Sequence, residues 1–196
     1  MSDITTLLNN IPKLEYGKRF ILGIDGLSRS GKTTLVSQLK ELVDERGIPT
    51  CVFHIDDHIV ERKRRYDTGH DEWYEYYQLQ WDAEWIKLNF FEKLATAKQL
   101  QLPMYDSHTD SHRVEVNEIP DNCLIIVEGV FLQRKEWRGY FDFFVYLDCP
   151  RQERFRRENV ITQSNIEKFK KRYWKAEDYY LESETPMEKA DLIISC

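Results

Sequence analysis

Apolar residues along this chain gather into short uninterrupted runs instead of alternating with polar ones. RFILGID (19–25) ends at a glycine, and TCVFHID (50–56), CLIIVEG (123–129), FDFFVYLDC (141–149) and DLIISC (191–196) repeat the pattern. A strand that is apolar on both faces must be covered on both. Five such runs separated by helical stretches therefore predict an α/β fold with a five-stranded parallel sheet between helical layers. From Lys32 the chain reads KTTLVSQLKELVDERG, which spaces Leu35, Val36, Leu39 and Val43 along one helical face and supplies Gly47 as a C-terminal cap. Asp71 to Leu100 reads as helical and unusually aromatic. QLQLPMYDSHTDSHRVEV (99–116) reads as a β-hairpin around a polar turn, inserted beside the sheet. TTLLNNIPKL near the N-terminus reads as a short helix packed on the body. With no repeat and no Pro/Gly/Ser-rich linker, residues 1–196 are expected to form one domain.

Composition narrows the class. Of 196 residues, 41% are hydrophobic and 32% charged, and no apolar run approaches the roughly 20 residues that span a bilayer. A membrane protein and a disordered chain are both excluded on this reading. The opening MSDITTLLNN is acidic and polar, unlike a secretory signal. The four cysteines, Cys51, Cys123, Cys149 and Cys196, form no C-x-x-C pair. That spacing indicates neither a zinc site nor a disulfide framework, and a reducing cytoplasmic location is expected. The balance of 28 basic and 34 acidic residues gives a net charge of −6, which argues against a nucleic-acid partner despite local clusters at 62–65 and 151–157.

One motif changes the picture. Gly26-Leu27-Ser28-Arg29-Ser30-Gly31-Lys32-Thr33 satisfies G-x-x-x-x-G-K-[ST], and it follows a predicted strand and opens a predicted helix. Glycines let backbone N–H groups turn inward around phosphate oxygens, and the helix N-terminus adds its positive end. Lys32 is placed to reach the outer phosphates and the Thr33 hydroxyl to ligate Mg²⁺. Gly26, Ser28, Arg29, Ser30, Gly31, Lys32, Thr33 and Thr34 are the candidate nucleotide contacts. No N/T-K-x-D guanine-reading motif follows, and the length suits a compact small-molecule kinase better than a motor ATPase.

In such sheets reactive groups sit at the carboxyl ends of strands. Asp56-Asp57 ends the second run, where Asp56 is the preferred base for an acceptor hydroxyl; capping of the next helix is the alternative for either residue. Glu128 ends the third run, placed for Mg²⁺ or its waters. In LDCPRQERFRREN, Arg151, Arg154 and Arg157 recur at helical spacing, as in a closing segment that neutralises a transferring phosphoryl group. A solvated helix paired with Glu153 and Glu158 is the alternative. In ERKRRYDTGHDEWYEYY (61–77), the arginines read as surface or as an attractor for an anionic acceptor. The aromatics Trp73, Tyr76, Tyr77 and Trp81 read first as core packing. His54, inside an apolar run, reads as a core histidine.

Together these residues resemble the uridine kinase branch of the P-loop kinases, which is related to phosphoribulokinase, nicotinamide riboside kinase and bacterial pantothenate kinase. The resemblance runs from about Phe20 to Ile194. GIDGLSRSGKTT resembles the phosphate loop, FHIDDHI the segment whose aspartate, here Asp56, is the general base, and IIVEGV the segment with the magnesium-associated glutamate. WDAEW resembles the segment whose aspartate, here Asp82, contacts the substrate sugar. LPMYDSHTDSHR resembles a hairpin over the acceptor pocket and implies Tyr105, Asp106, His112 and Arg113 as substrate contacts. LDCPRQERFRRE resembles an arginine lid, over about 151–175, with Arg154 and Arg157 as catalytic groups beside Lys32 and Asp56. The family's H-P after the substrate aspartate is replaced by Ala83-Glu84, and the aromatic after Tyr-Asp by Ser107-His108. The resemblance thus implies a P-loop NTPase sandwich that uses ATP and Mg²⁺ to phosphorylate a hydroxyl of a small metabolite, with a nucleoside as the leading acceptor. A vitamin-like or sugar alcohol and a non-catalytic nucleotide-binding regulator are the alternatives, and a homo-oligomer is left open.

Overall fold

The computed structural model describes residues 3–15 and 17–196. Its centre is a five-stranded sheet built from β1 (Arg19–Gly26), β2 (Thr50–His54), β5 (Cys123–Gly129), β6 (Phe143–Asp148) and β7 (Leu192–Ser195). The strand order is β2-β5-β1-β6-β7 and every pairing is parallel. The intervening β3 (Gln99–Asp106) and β4 (Ser111–Glu118) pair only with each other, as the antiparallel hairpin the sequence predicts.

The continuous apolar runs are continuous because the sheet is buried twice. Leu22, Ile24, Leu124 and Ile126 face one core, which α1 (Asp3–Asn10) closes with Leu7 and Leu8, and α2 (Lys32–Glu45) with Leu35, Val36, Leu39 and Val43. Ile21, Ile125 and Val127 point to the other side, into a core rich in aromatic rings: Tyr77, Trp81, Phe90, Phe91, Phe131 and Trp137. Those rings come from α4 (Glu72–Gln78), from the connection that follows it (Trp81), from the helical segment 83–94 and from the loop after β5; the short α3 (Arg62–Arg65) precedes them. Tyr77 and Trp81 are each 2% exposed, so their core reading holds. A last helical segment, 166–184, contains a π-helical turn at Phe169–Trp174 and packs across α4. Among the described residues no helix is long and apolar enough to cross a membrane.

The cysteines behave differently from the sequence expectation. Cys149 and Cys196 form a disulfide across 47 residues. Parallel pairing puts Asp148 opposite Ser195, so the residue after each strand arrives at the same place. Spacing along the chain carries no trace of that register. Cys51 and Cys123 are free thiols.

Candidate active site

The loop after β1 owes its shape to two glycines. Gly26 has φ +150°, and a Cβ there would lie 2.8 Å from Ser30 Oγ and 2.9 Å from the Leu147 carbonyl. Gly31 opens α2 at φ +103°, a conformation that costs glycine nothing. The turn between them is closed by Ser30 N–H on the Leu27 carbonyl at 3.1 Å. Lys32 is 8% exposed, and its Nζ donates to the carbonyls of Gly26 (2.9 Å) and Leu27 (3.1 Å). Burial lowers its pKa, while Glu128, Asp56 and Asp25 pull it back up. Ser30 Oγ is buried without a partner among the described residues, a polar atom placed for an anion.

Beneath the loop, β1 and β5 lie side by side and bring two carboxylates up to it. Asp25 is fully buried; its Oδ1 accepts from Gly26 N–H (2.8 Å), and its Oδ2 from Gln133 Nε2 (3.1 Å) and the Tyr180 hydroxyl (2.5 Å). It fixes the base of the loop, a role that spacing alone does not reveal. Glu128 Oε1 accepts from the Thr33 hydroxyl at 3.0 Å and lies 2.6 Å from His54 Nδ1. Burial opposes its charge, yet His54, Lys32 and Thr33 outweigh that and hold its pKa below the ordinary glutamate value. His54 is therefore no core histidine: its side chain is 39% exposed and its pKa is raised by the Glu128 carboxylate. Glu128 Oε2 is buried and unpartnered. That orphan oxygen beside the Thr33 hydroxyl suits a hard cation, which takes oxygen ligands and completes its shell with phosphate and water.

Asp56 stands in the helical turn Ile55–His58 after β2 and lines the same cavity, of about 970 Å³, as residues 28–34, Glu128, Arg154 and Arg157. Solvent reaches its carboxyl through the open cleft. Enclosure by the walls, with Glu128 and Asp57 nearby, raises its pKa, against the opposing pull of Lys32.

The arginine segment is folded down onto the loop. Arg154 is 5% exposed; its Nη1 and Nη2 grip Glu177 at 2.7 and 2.9 Å, and Nη1 also donates to the Ser28 carbonyl at 3.0 Å. Its guanidinium, which the sequence reading takes as a catalytic group of the lid, is here bonded to Glu177 and to the loop. Arg157 Nη1 donates to the Arg29 carbonyl (2.9 Å), and Arg29 Nε to Glu158 (3.0 Å). Arg151 pairs with Asp178 on the next helical segment.

The five expected substrate contacts lie outside the lining of this cavity. Asp82 caps the helix that follows, accepting from Trp85 N–H (3.1 Å), and pairs with Arg64 (3.0 Å). The Tyr105 hydroxyl donates to Asp110 (2.8 Å) and receives Arg65 Nη2 (3.2 Å). His112 Nε2 bonds the Ile59 carbonyl at 2.8 Å. These contacts clamp the hairpin tip onto residues 59–65. Asp106 caps its own turn through His108 N–H (2.8 Å), and Arg113, whose side chain is 76% exposed, pairs with Glu115. The wall beside Asp56 is aromatic instead: Tyr76 from α4, with Phe169 and Tyr173 from the π turn. Sequence reasoning missed both π-turn residues because a helical wheel assumes a regular pitch, and an inserted residue rotates the face.

Residues 21–158 match the model of the Phosphoribulokinase / Uridine kinase family. The chain belongs to that family. Within it, the chain is similar to the uridine kinase of Borrelia duttonii (strain Ly), at 29% identity over 186 residues covering 89% of this chain and 85% of the relative. A solved structure described as a possible uridine kinase from Bacillus stearothermophilus superposes with a TM-score of 0.85 at 53% identity, over 97% of this chain and 94% of that one. The phosphoribulokinase of Rhodobacter spheroides shares the fold, with a TM-score of 0.61 at 14% identity over 91% and 70% of the two chains. The protein is a P-loop small-molecule kinase of the phosphoribulokinase/uridine kinase family, with the nucleotide loop on the carboxyl edge of its sheet.

Proposed function

We propose that this kinase transfers the γ-phosphoryl group of ATP, with Mg²⁺, to a hydroxyl of a small metabolite, and that a nucleoside is its leading acceptor. The observation that carries the reading is one cavity holding the phosphate loop, the Thr33–Glu128 pair and Asp56. The loop's N–H groups and Lys32 hold the outer phosphates. The Thr33 hydroxyl, with Glu128 behind it, would hold magnesium, which would supply neutralisation of the phosphate charge. Asp56 accepts the proton of the acceptor hydroxyl as that oxygen bonds to the γ-phosphorus and the bond to the bridging oxygen breaks, releasing ADP. Arg157, carried by the arginine segment, lies over the loop to offset charge on the moving group, while Arg154 keeps the loop carbonyl of Ser28 in place. The nucleoside preference draws support from relatives named uridine kinase.

The test is ADP release from Mg·ATP across uridine, cytidine, nicotinamide riboside, pantothenate and sugar alcohols. Turnover rising well above acceptor-free hydrolysis with a nucleoside supports the reading. Stimulation by a non-nucleoside alone replaces the acceptor, and none at all with tight ATP binding overturns the transfer reaction in favour of a nucleotide-binding regulator.

A further inference from the structure

We propose that Tyr76 holds the acceptor against Asp56 by a hydrogen bond from its hydroxyl, and so sets which acceptors react. The inference rests on the kinase reading of the cavity and adds to it a residue outside the phosphate-loop machinery. Tyr76 and Asp56 line the same cavity, and Tyr76 stands where the expected hairpin contacts do not reach. Its ring is held in one orientation. It meets Phe131 edge-on at 5.4 Å and Tyr173 at 4.9 Å with the two planes at 90°, and the Arg172 guanidinium lies 5.7 Å from its centroid. Arg172 is itself fixed, 1% exposed and bonded to Glu75 Oε2 at 3.0 Å. A pinned ring presents its hydroxyl at a fixed point, and that hydroxyl has no hydrogen-bond partner among the described residues. The contrast with its neighbours is instructive: the Tyr180 hydroxyl is spent on Asp25 and the Tyr105 hydroxyl on Asp110. Burial, reinforced by the charges of Asp56 and Glu177, keeps the Tyr76 hydroxyl protonated far above neutral pH, so it is a donor throughout the working range. The acceptor that fits carries an oxygen next to its reacting hydroxyl, as a ribosyl or other polyol group does. One oxygen then faces Asp56 while the other receives Tyr76.

Tyr76→Phe removes the hydroxyl and keeps the ring, and uridine is the probe. Loss of one such bond raises the uridine KM about tenfold, while ATP affinity, measured by equilibrium binding without acceptor, moves less than about twofold. An unchanged uridine KM and kcat in Tyr76→Phe overturns the proposal. Tyr76→Ala additionally lowers the melting temperature by removing contacts with Phe131 and Tyr173, whereas Tyr76→Phe holds it; equal destabilisation by both assigns the residue to packing alone and overturns the proposal. If uridine fails to stimulate the wild type, the nucleoside reading falls, and the same KM comparison on nicotinamide riboside or D-ribitol, whichever stimulates, decides Tyr76 by the same criterion.

Discussion

The two ends of the cavity are built in opposite ways. At the phosphate end, eight consecutive residues supply the glycines, the lysine and the hydroxyl, Asp25 directly precedes them, and the fold adds the Glu128 carboxylate from the neighbouring strand and the Arg154 and Arg157 guanidiniums on the loop carbonyls. At the end proposed for the acceptor nothing is contiguous: Asp56 follows β2, Tyr76 sits on α4, and Phe169 and Tyr173 come from a π turn about a hundred residues further on. The helical segment 166–184 ties the ends together with two buried ion pairs. Arg154–Glu177 fastens it to the phosphate loop, and Arg172–Glu75 fastens it to α4. The phosphate end is thus a local motif that the fold holds, and the acceptor end exists only once the chain has folded around it.

That contrast can be tested by breaking each end separately. At the phosphate end, Lys32→Ala removes the charge facing the outer phosphates, and kcat for phosphoryl transfer falls by roughly 10²–10³ with the fold intact by circular dichroism. The ties come next. Glu177→Ala leaves the Arg154 guanidinium buried and unpaired, and costs about 3–5 kcal/mol of stability in urea unfolding. Glu75→Ala does the same to Arg172 on the acceptor side, and is expected to raise the acceptor KM more than the ATP KM. Smaller still is the hairpin. Tyr105→Phe loses the bonds to Asp110 and Arg65 for about 1 kcal/mol, and Arg113→Ala, at a solvent-facing pair, changes stability by less than about 0.5 kcal/mol. A large loss of acceptor affinity in Arg113→Ala would return the acceptor site to the hairpin.

The smallest effect is a pH dependence. The Glu128 carboxylate raises the pKa of His54 above its ordinary value near 6.5. The pair's stabilisation is therefore fully present below that value and is lost as pH rises through the raised pKa. The melting-temperature difference between wild type and His54→Asn is expected to be largest below about pH 6.5 and to shrink as pH rises above it; a difference that grows with pH contradicts the charged pair.

The same contrast explains what was legible in the sequence. Five apolar runs, the helix after Lys32 and the hairpin were readable because each is a local pattern with its own period. The phosphate loop was readable because its chemistry needs consecutive residues. The placement of Asp56 and Glu128 beside the phosphate loop was readable because a strand's carboxyl end is a place the sequence can mark. Arg154 was visible as a residue but not in its bonding, since Glu177 and the Ser28 carbonyl reach it only across the folded chain. His54 passed for core because its run looks apolar, while its neighbour Glu128 lies on another strand at the same register. The Cys149–Cys196 link needs the β6–β7 register, and the aromatic wall needs the irregular pitch of residues 169–174.

The central claim is that Asp56 works as the base of a phosphoryl transfer whose nucleotide is held elsewhere. Asp56→Asn keeps the shape of the side chain and removes its ability to take a proton. Paired measurements on this variant, equilibrium ATP binding and acceptor-stimulated ADP release, test that claim most directly. The account predicts ATP affinity within about twofold of wild type and a transfer rate lower by roughly 10²–10⁴. Wild-type transfer by Asp56→Asn would contradict it.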